Sequence, residues 1–389
     1  MNEKVNMRRA LRTFVCIAAI VLLIFVGGIR ASANEYEDES LPSEYADFIG
    51  SIDGSVSDKL PDSVFSDDPD ALEGAATELA TPSNVLSVLV GLLSEGLQKV
   101  SPTLAILLGI VILCALVGTV ASNCGGLSRS VECCTRLCMF CAISGVAVSC
   151  VETLSVYFER LFAAVASFLP LSAALFAMGG NLNAAASNSA SLGVVLAVCE
   201  FFCTKTVIPV FCVCLCLSVL SAFDGVGASA GGAVGATVRK WYMTALSFVM
   251  MILTVSLGAS NLLAVKADNM AMRGAKFAVS SFIPVSGGTL SSTLGTLSAS
   301  VELLRGSVGV IGIVILLLLL LPTVIELALL RGVFTVSSFC ASTLGCHGEA
   351  KLLSELESLY GYLEGVAALS AAVFIIAFAI FASVATPFS

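Results

Sequence analysis

Four ionisable residues lie inside stretches that are apolar enough to cross a membrane: Glu152, Glu200, Lys205 and Glu326. At the centre of a bilayer each would cost about 2.5–3.5 kcal/mol unless it faced water or an opposite charge. We therefore expect them to face one another, with Lys205 pairing with Glu200 or Glu326, as ionisable groups on a transport path do. The alternative is that Glu200 and Lys205 mark an interfacial break between two short helices.

The remaining reactive side chains do not predict a catalytic or metal centre. The chain has 15 cysteines but one histidine, His347. Cys133, Cys134, Cys138 and Cys141 have a spacing only loosely like that of a metal site, and no histidine lies near them in sequence to complete a tetrahedral set. Free cysteine is also a small apolar residue that suits packed helices. We therefore expect no metal, no cofactor and no enzyme activity.

Two segments of similar sequence indicate an internal repeat. Residues 167–172 read Ser-Phe-Leu-Pro-Leu-Ser, and residues 281–286 read Ser-Phe-Ile-Pro-Val-Ser. Each follows an apolar stretch of spanning length and precedes a second proline at nearly equal distance, so the likeness extends over two blocks, about 137–222 and 242–330. Repeated blocks with broken helices are how many membrane proteins build a path through lipid. Chance recurrence in low-complexity membrane sequence is the alternative.

Proline and glycine predict helix breaks within both blocks. Proline removes a backbone donor and crowds the preceding turn, and glycine adds flexible backbone. The freed polar groups cannot face lipid, so they must meet neighbouring helices or water in a cavity. The residues expected at such breaks, and therefore to line a pore, are Pro170, Pro209, Pro284, Gly287, Gly288 and Pro322. A kinked helix satisfied entirely by packing is the equal alternative.

The composition is that of an integral membrane protein. Hydrophobic residues make up 57 % of the chain and charged residues 12 %, and the mean hydropathy is +0.99, which is too apolar for a water-soluble domain. We predict an all-α polytopic membrane protein of about seven to eight spans with broken helices, in a multi-span domain at 102–389. Clear spans are 102–122, 137–157, 206–222, 242–263, 308–330 and 366–385, with shorter interrupted pieces at 162–179, 192–203 and 277–300.

Basic residues suggest how the two blocks are oriented. Two loops are expected on the cytoplasmic side, one marked by Arg129 and Arg136 and the other by Lys266, Arg273 and Lys276. The blocks would then be inverted, with three crossings each as the simplest count. Arg239 and Lys240 would face outward, against the charge rule, so the inverted arrangement stays one of two possibilities.

The N-terminal segment, 1–33, is expected to be a signal peptide. Lys4, Arg8, Arg9 and Arg12 form a positive region, an apolar stretch follows at 14–28, and Ala31-Ser32-Ala33 is a cleavage site of small residues. An uncleaved first anchor is the alternative. The segment 34–82 carries 14 acidic residues between Glu35 and Glu78 against one lysine, a composition that predicts an exported flexible segment. It would serve as a solvated spacer, or else dock on a basic partner.

Two segments show a one-sided apolar pattern. Residues 83–101 have apolar side chains at three-to-four spacing with polar ones opposite, which predicts an amphipathic interfacial helix before Pro102 turns the chain into the bilayer. Packing against a partner protein is the competing use. A second surface helix is predicted at 346–364, and its apolar face consists of Leu352, Leu353, Leu356, Leu359, Tyr360 and Leu363.

The segment Lys276–Gly288 (KFAVSSFIPVSGG), together with a signal peptide, an acidic segment and many spans, resembles the stage III sporulation protein AE family of endospore-forming bacteria. The resemblance covers roughly 80–389. It implies a multi-pass protein of the mother-cell membrane around the forespore, with its N-terminal region outside the cytoplasm. It also implies an eight-component, secretion-like channel complex that joins mother cell and forespore and supports forespore gene expression. The implied partners are other membrane and ring-forming proteins of that complex and the lipid bilayer, with no nucleic acid, and the family has no established catalytic residues.

Two functions from different classes remain open at this point. In the first, the chain is a conduit or scaffold subunit of a trans-envelope machine, without turnover of its own. In the second, it is a secondary permease with a central substrate site between inverted repeats. The permease should need Glu152, Glu200, Lys205 or Glu326 and should work alone, whereas the conduit subunit should need its partners. A merely structural membrane anchor is the third possibility.

Overall fold

The protein is helical throughout the part of the chain that its structure describes. A computed structural model describes residues 42–52, 54–57, 59–66, 71–72, 74, 82–122, 128–223, 229–282 and 287–383. Two short helices come first, α1 (Ser43–Gly50) and α2 (Gly54–Ser57), and a 3-10 turn follows at Asp62–Phe65. The longer helices are α3 (Pro82–Ser122), α4 (Ser128–Met178), α5 (Leu182–Glu200), α6 (Val207–Phe223), α7 (Ser229–Phe282), α8 (Gly287–Thr343) and α9 (His347–Ser383), with a π-helical segment, Phe201–Thr206, joining α5 to α6.

The prediction of an all-α polytopic membrane protein is confirmed. Six helical stretches within the described residues are long and apolar enough to cross a membrane: Val88–Val120, Cys134–Met178, Leu182–Ser221, Ala233–Asp268, Leu304–Thr343 and His347–Ser383. The described residues thus give six such stretches where seven to eight spans were predicted. The difference arises because 137–157 and 162–179 belong to one helix, α4, and because 192–203 and 206–222 follow each other in the continuous stretch from α5 to α6.

Helix α8 forms the centre of the bundle. Every residue from Ile313 to Leu320 is buried, and α8 packs against α9, α3 and α4. A helix that is apolar on all sides needs neighbours on all sides. The leucine-rich stretch in α8 therefore lies within protein, while α3 and α7 lie at the periphery, α3 against α4 and α8, and α7 against α5, α6 and α9.

Contacts along α9 show the direction of its neighbours. In α4, Thr135 donates a hydrogen bond to Glu349 at 3.0 Å, and further along the ring of Phe168 stacks on Phe378 at 3.8 Å. Because residue numbers increase together in both helices, α4 and α9 run in the same direction. Helix α8 runs antiparallel to α9, since Gly309 lies against Ala382 whereas Ser338 donates to the Ala350 carbonyl.

Helix α7 also runs parallel to α9, and this result overturns the inverted arrangement. Arg239 contacts Glu355 at 3.1 Å, and Gly258 lies against Ile380. Since α4 and α7 share one direction, the two blocks are not inverted, and the continuous α4 rules out three crossings in the first block. Arg136 and Arg239 consequently lie at the same end of the bundle, while Lys266, Arg273 and Lys276 lie towards the other end of α7.

The predicted breaks at Pro170 and Pro322 are not formed, because α4 and α8 continue through both prolines. A proline removes only one hydrogen bond from the ladder, and the remaining bonds hold a long packed helix together. Helix α4 instead ends at Met178 and is capped by Gly180, where φ is 75°, and the Asn181 N–H donates to the Phe176 carbonyl at 2.9 Å. This is the pattern of a glycine C-cap.

The other residues expected at breaks have different positions. Pro209 is the third residue of α6, directly after the π-helical segment. Pro284 lies outside the described residues. Gly287 and Gly288 form the start of α8.

The acidic segment is folded where the structure describes it, which contradicts the prediction of a flexible spacer for those residues. Tyr45, Phe48 and Val64 are buried, and the Tyr45 hydroxyl donates to the Val64 carbonyl at 2.8 Å. The Phe48 ring packs edge-on against Phe168 of α4 at 5.7 Å. A few aromatic and aliphatic residues thus pack against an apolar surface of the bundle. Burial of these residues offsets the conformational entropy that this highly charged segment loses on folding.

The two amphipathic segments are parts of longer helices. Helix α3 runs through Pro102 without a turn, and Gly96 lies against Leu329 and Ile325 of α8. The segment 346–364 continues into the last span as α9. The apolar face of 346–364 was identified correctly, but all six of its residues are buried in the bundle, so its prediction as a surface helix was wrong.

Candidate functional site

The four predicted intramembrane charges lie at one level of the bundle. The hydroxyl of Thr153 in α4 is 3.4 Å from an oxygen of Glu326 in α8, and Glu152 is the neighbouring residue. Nearby, Cys150 of α4 contacts the hydroxyl of Tyr360 in α9. These contacts place Glu152 and Glu326 beside the middle of α9.

On the opposite side of the bundle, Tyr362 marks the same level, since it lies two residues after Tyr360 in α9. The ring of Tyr362 packs against that of Tyr242 in α7 at 5.8 Å. The hydroxyls of Tyr242 and Thr206 are 2.5 Å apart, and Lys205 precedes Thr206. Lys205 therefore lies level with Glu326, with Glu200 about one and a half helical turns away.

The structure does not form the predicted ion pair. Glu152, Glu200 and Lys205 are exposed on the outside of the bundle, while Glu326 is half-buried between α4 and α8. Among the described residues, Lys205 has no carboxylate within ion-pair distance. The functional role of these four residues stays a prediction. The structure moves that role to the outer surface of the bundle, because the residues do not face one another in its interior.

Other exposed charges share this level, and together they surround the bundle. Glu95 and Lys99 flank Gly96, which contacts Ile325 next to Glu326. We call the set of exposed charged residues at this height the charged belt: Glu95, Lys99, Glu152, Glu159, Arg160, Glu200, Lys205 and Lys240. Sequence analysis missed the belt because its members are spread over four helices and the π-helical segment, whose relative heights depend on packing.

The π-helical segment Phe201–Thr206 lies in the belt. Its altered hydrogen-bond ladder is covered by side chains, since Thr206 donates to the Phe202 carbonyl at 2.6 Å and Tyr242 donates to the same oxygen at 3.2 Å. Thr204 bonds back to Glu200. Pro209 gives a physical reason for the segment, because it cannot donate to the preceding turn. Isolated π-helical turns occur frequently at functional sites.

Ion pairs join α9 to its neighbours at the level of the belt and on the side of the belt where α9 begins. Arg239 of α7 contacts Glu355 at 3.1 Å, and Arg331 of α8 contacts Glu357 at 3.8 Å and Glu364 at 3.2 Å. Arg239 is only 6 % exposed, so Glu355 supplies the opposite charge that its buried guanidinium requires. The sequence analysis predicted a surface helix at 346–364 and did not predict these pairs.

On the other side of the belt, Asp268 of α7 clamps the start of α5. Its carboxylate accepts from Asn183 N–H at 3.1 Å, from the Asn183 side-chain amide at 2.8 Å and from Ala184 N–H at 2.8 Å. A carboxylate at the positive end of a helix is favourable. Asp268 is 4 % exposed, so this clamp is a buried structural contact.

The prolines do not enclose a path within one chain. Pro170 and Pro209 are exposed on the outside of the bundle, and Pro322 is half-buried. A pore-lining role for them stays a prediction that would need several chains. Among the residues that the structure describes, no group of three or more His, Cys, Asp or Glu side chains is arranged to hold a metal ion.

Comparison with known proteins gives one match. The family model described as stage III sporulation protein AE matches residues 73–385 of the 389. No curated protein and no solved structure is significantly similar to the chain. The matched region contains the whole bundle from α3 to α9.

Proposed function

Because the chain belongs to the stage III sporulation protein AE family, we propose that it is a membrane subunit of a secretion-like channel complex that links mother cell and forespore. In this role it supports forespore gene expression together with other membrane and ring-forming proteins. Its place would be the mother-cell membrane around the forespore, with residues 34–82 outside the cytoplasm after cleavage of the signal peptide.

The charged belt is the observation that supports a role within an assembly. Eight exposed charges surround the bundle in one band, which extends along α9 from the level of Glu355, near Lys240, to that of Ser370, near Glu159. This band is about 20 Å deep, with apolar surfaces on both sides. A single chain surrounded by lipid would have to place this belt at a membrane interface, and one of the apolar surfaces would then project into water. A subunit that is covered by protein partners avoids this cost.

A scaffold or conduit subunit needs no turnover of its own. The belt residues include no serine, cysteine, threonine or histidine, so the belt contains no nucleophile held against a base. We therefore propose that the chain contributes structure to the complex and no chemical reaction, and that an energy-converting partner drives any movement of cargo.

The permease alternative receives less support. It requires inverted repeats around a central site, whereas α4 and α7 run in the same direction. A groove of about 230 Å³ between α5 and α7 is lined by apolar side chains and by the hydroxyls of Ser191 and Ser256. No charged side chain lines this groove to bind a solute.

The test is affinity purification of the intact complex from sporulating cells, followed by mass spectrometry of what accompanies this chain. We expect recovery with an ATPase and with ring-forming membrane proteins. Recovery of the chain by itself, together with solute uptake when it is reconstituted alone in liposomes, would contradict the proposal and favour the permease.

A further inference from the structure

Two peripheral helices expose rows of large apolar side chains. We call the first row the α3 face, and it consists of Ile106, Ile112, Leu113, Leu116, Val117 and Val120, which are 43–68 % exposed. We call the second row the α7 face, and it consists of Phe248, Met251, Ile252, Val255, Leu262 and Leu263, which are 50–69 % exposed. Rows of this kind need lipid or a protein partner.

The two faces lie at different heights along the bundle axis. Their contacts with α9, which runs past both, give the difference in height. At the level of the α3 face, the buried side of α3 places Cys114 beside Thr135, which donates to Glu349 near the start of α9. At the level of the α7 face, Gly258, three residues after Val255, lies against Ile380 near the end of α9. Glu349 and Ile380 are 31 residues apart, a distance of about 46 Å along a helix.

One bilayer cannot cover both faces. Its hydrocarbon core is about 30 Å thick. The bundle would have to tilt by about 50° to bring both faces into that core, whereas membrane helices tilt by about 0–40°. One face therefore lies in lipid, and the other lies outside the hydrocarbon.

The folded acidic segment identifies the face that lies outside. Its Phe48 packs on Phe168, which stacks on Phe378, two residues from Ile380 at the α7 face. The same segment exposes charged side chains, namely those of Asp47, Lys59 and Asp62. Exposed charges of this kind exclude hydrocarbon at that height. The α7 face consequently lies at a height where the surroundings are aqueous.

The α3 face then lies in the bilayer. The acidic residue of α9 at its height, Glu349, is buried in the bundle and accepts a hydrogen bond from Thr135. Lys351 is exposed but lies in the first turns of α9, where a long side chain can extend to the membrane interface. The charged belt lies between the two faces, at the opposite interface.

We propose that the α7 face is covered, outside the hydrocarbon, by the α4 flank of a second copy of this chain. Copies inserted into one membrane share direction and height, so the belt of each copy meets the belt of its neighbour. On the α5–α7 side the belt exposes Lys205 and Lys240 together with Glu200, a net charge of +1, and on the α4 side it exposes Glu152 and Glu159 together with Arg160, a net charge of −1. These two sides are complementary in charge, which sets the register between copies.

The shapes of the two surfaces also fit at this height. Beyond its belt residues, α4 exposes the small side chains of Ala163, Ala166 and Pro170. The large side chains of the α7 face can pack closely against such a surface. Because the two surfaces differ, the contact joins copies head to tail, and it forms a closed ring if the rotation between copies closes.

The experiment uses a photoreactive benzophenone amino acid at Val255 of the full chain, in membranes of sporulating cells. After illumination and mass spectrometry, we expect an adduct between two copies of this chain, with the partner peptide from residues 156–177 of α4. The same label at Leu113 is the control, and it should react with lipid. An adduct of position 255 with lipid alone or with a different protein, or no adduct, overturns the proposal.

Charge reversal tests the register between copies. Lys205→Glu should lower the yield of the copy-to-copy adduct about tenfold, and adding Glu152→Lys should restore it. An unchanged lipid adduct at Leu113 shows that each variant still inserts and folds. If the single reversal leaves the yield unchanged, or if the double reversal does not restore it, the contact between the α4 flank and the α7 face is wrong.

Discussion

Removal of the Asp268 carboxylate should separate α5 from α7. The carboxylate accepts three hydrogen bonds at 2.8–3.1 Å, two of them from backbone N–H groups in the first turn of α5. Hydrogen bonds to a charged group contribute about 1.5–3 kcal/mol each. The Ala184 donor is buried, with Ala184 0 % and Asp268 4 % exposed, so Asp268→Ala leaves the Ala184 N–H without water, whereas water can reach the exposed Asn183. Allowing for partial relaxation, we expect Asp268→Ala to cost about 3–5 kcal/mol.

Alkylation of Cys199 can measure this cost. Cys199 lies in α5, is 0 % exposed and is 3.5 Å from the sulfur of Met250 in α7. It therefore reacts with a maleimide only after α5 and α7 separate. For the purified chain in detergent micelles, a loss of 3 kcal/mol should raise the alkylation rate by about 100-fold. Peptide mass spectrometry distinguishes Cys199 from the other cysteines.

A neighbouring charge provides the control for this experiment. Lys266 lies two residues before Asp268 on α7 and is exposed. Lys266→Ala should change stability by less than about 0.5 kcal/mol and leave the Cys199 rate unchanged. Asp268→Asn keeps one acceptor oxygen and should lie between the two. If Asp268→Ala reacts no faster than Lys266→Ala, the clamp does not hold the two helices together.

Three further predictions concern packing and charge. Gly312→Ala should lower the thermal unfolding temperature in micelles, because its new Cβ would lie 2.3 Å from an aromatic ring of α9; Gly306→Ala, with open space around its Cα, should not. Arg331→Met should cost about 3–5 kcal/mol in detergent unfolding, since it leaves the buried Glu364 carboxylate without its partner, and adding Glu364→Leu should recover most of the loss. Phe48→Ala should release the acidic segment from α4, so limited proteolysis should cut that segment faster while the bundle stays intact; equal protection of both proteins would refute the docking.

Periodicity in the sequence identified which side of a helix is apolar more reliably than it predicted where in the molecule that side lies. The apolar face of 346–364 was read correctly, yet the structure buries it against the bundle instead of at a membrane surface. The acidic segment was read by its charge, whereas Phe48 and Val64 decided that its described part is folded. A pattern shows which residues prefer to leave water, but not which surface will receive them.

For the predicted site residues, too, the sequence identified the residues but not the partners that they face. Glu152, Glu200, Lys205 and Glu326 were chosen because charge is expensive in hydrocarbon, and the structure places all four at one height. Their expected pairing failed because the direction each side chain faces depends on how its helix is rotated in the bundle. The π-helical segment next to Lys205 had only a faint signal, which consisted of two threonines shortly before a proline.

The sequence by itself determined the class of the protein, its helical spans and its family, because hydrophobicity and the Phe-Ile-Pro-Val segment are properties of neighbouring residues along the chain. The tertiary structure alone decided that α4 and α7 run in the same direction, that the charges form one belt, and that the α3 and α7 faces lie about 46 Å apart. These features depend on the relative height and rotation of helices. Long-range contacts such as Thr135 with Glu349 and Gly258 with Ile380 set both, and no local pattern of residues encodes them.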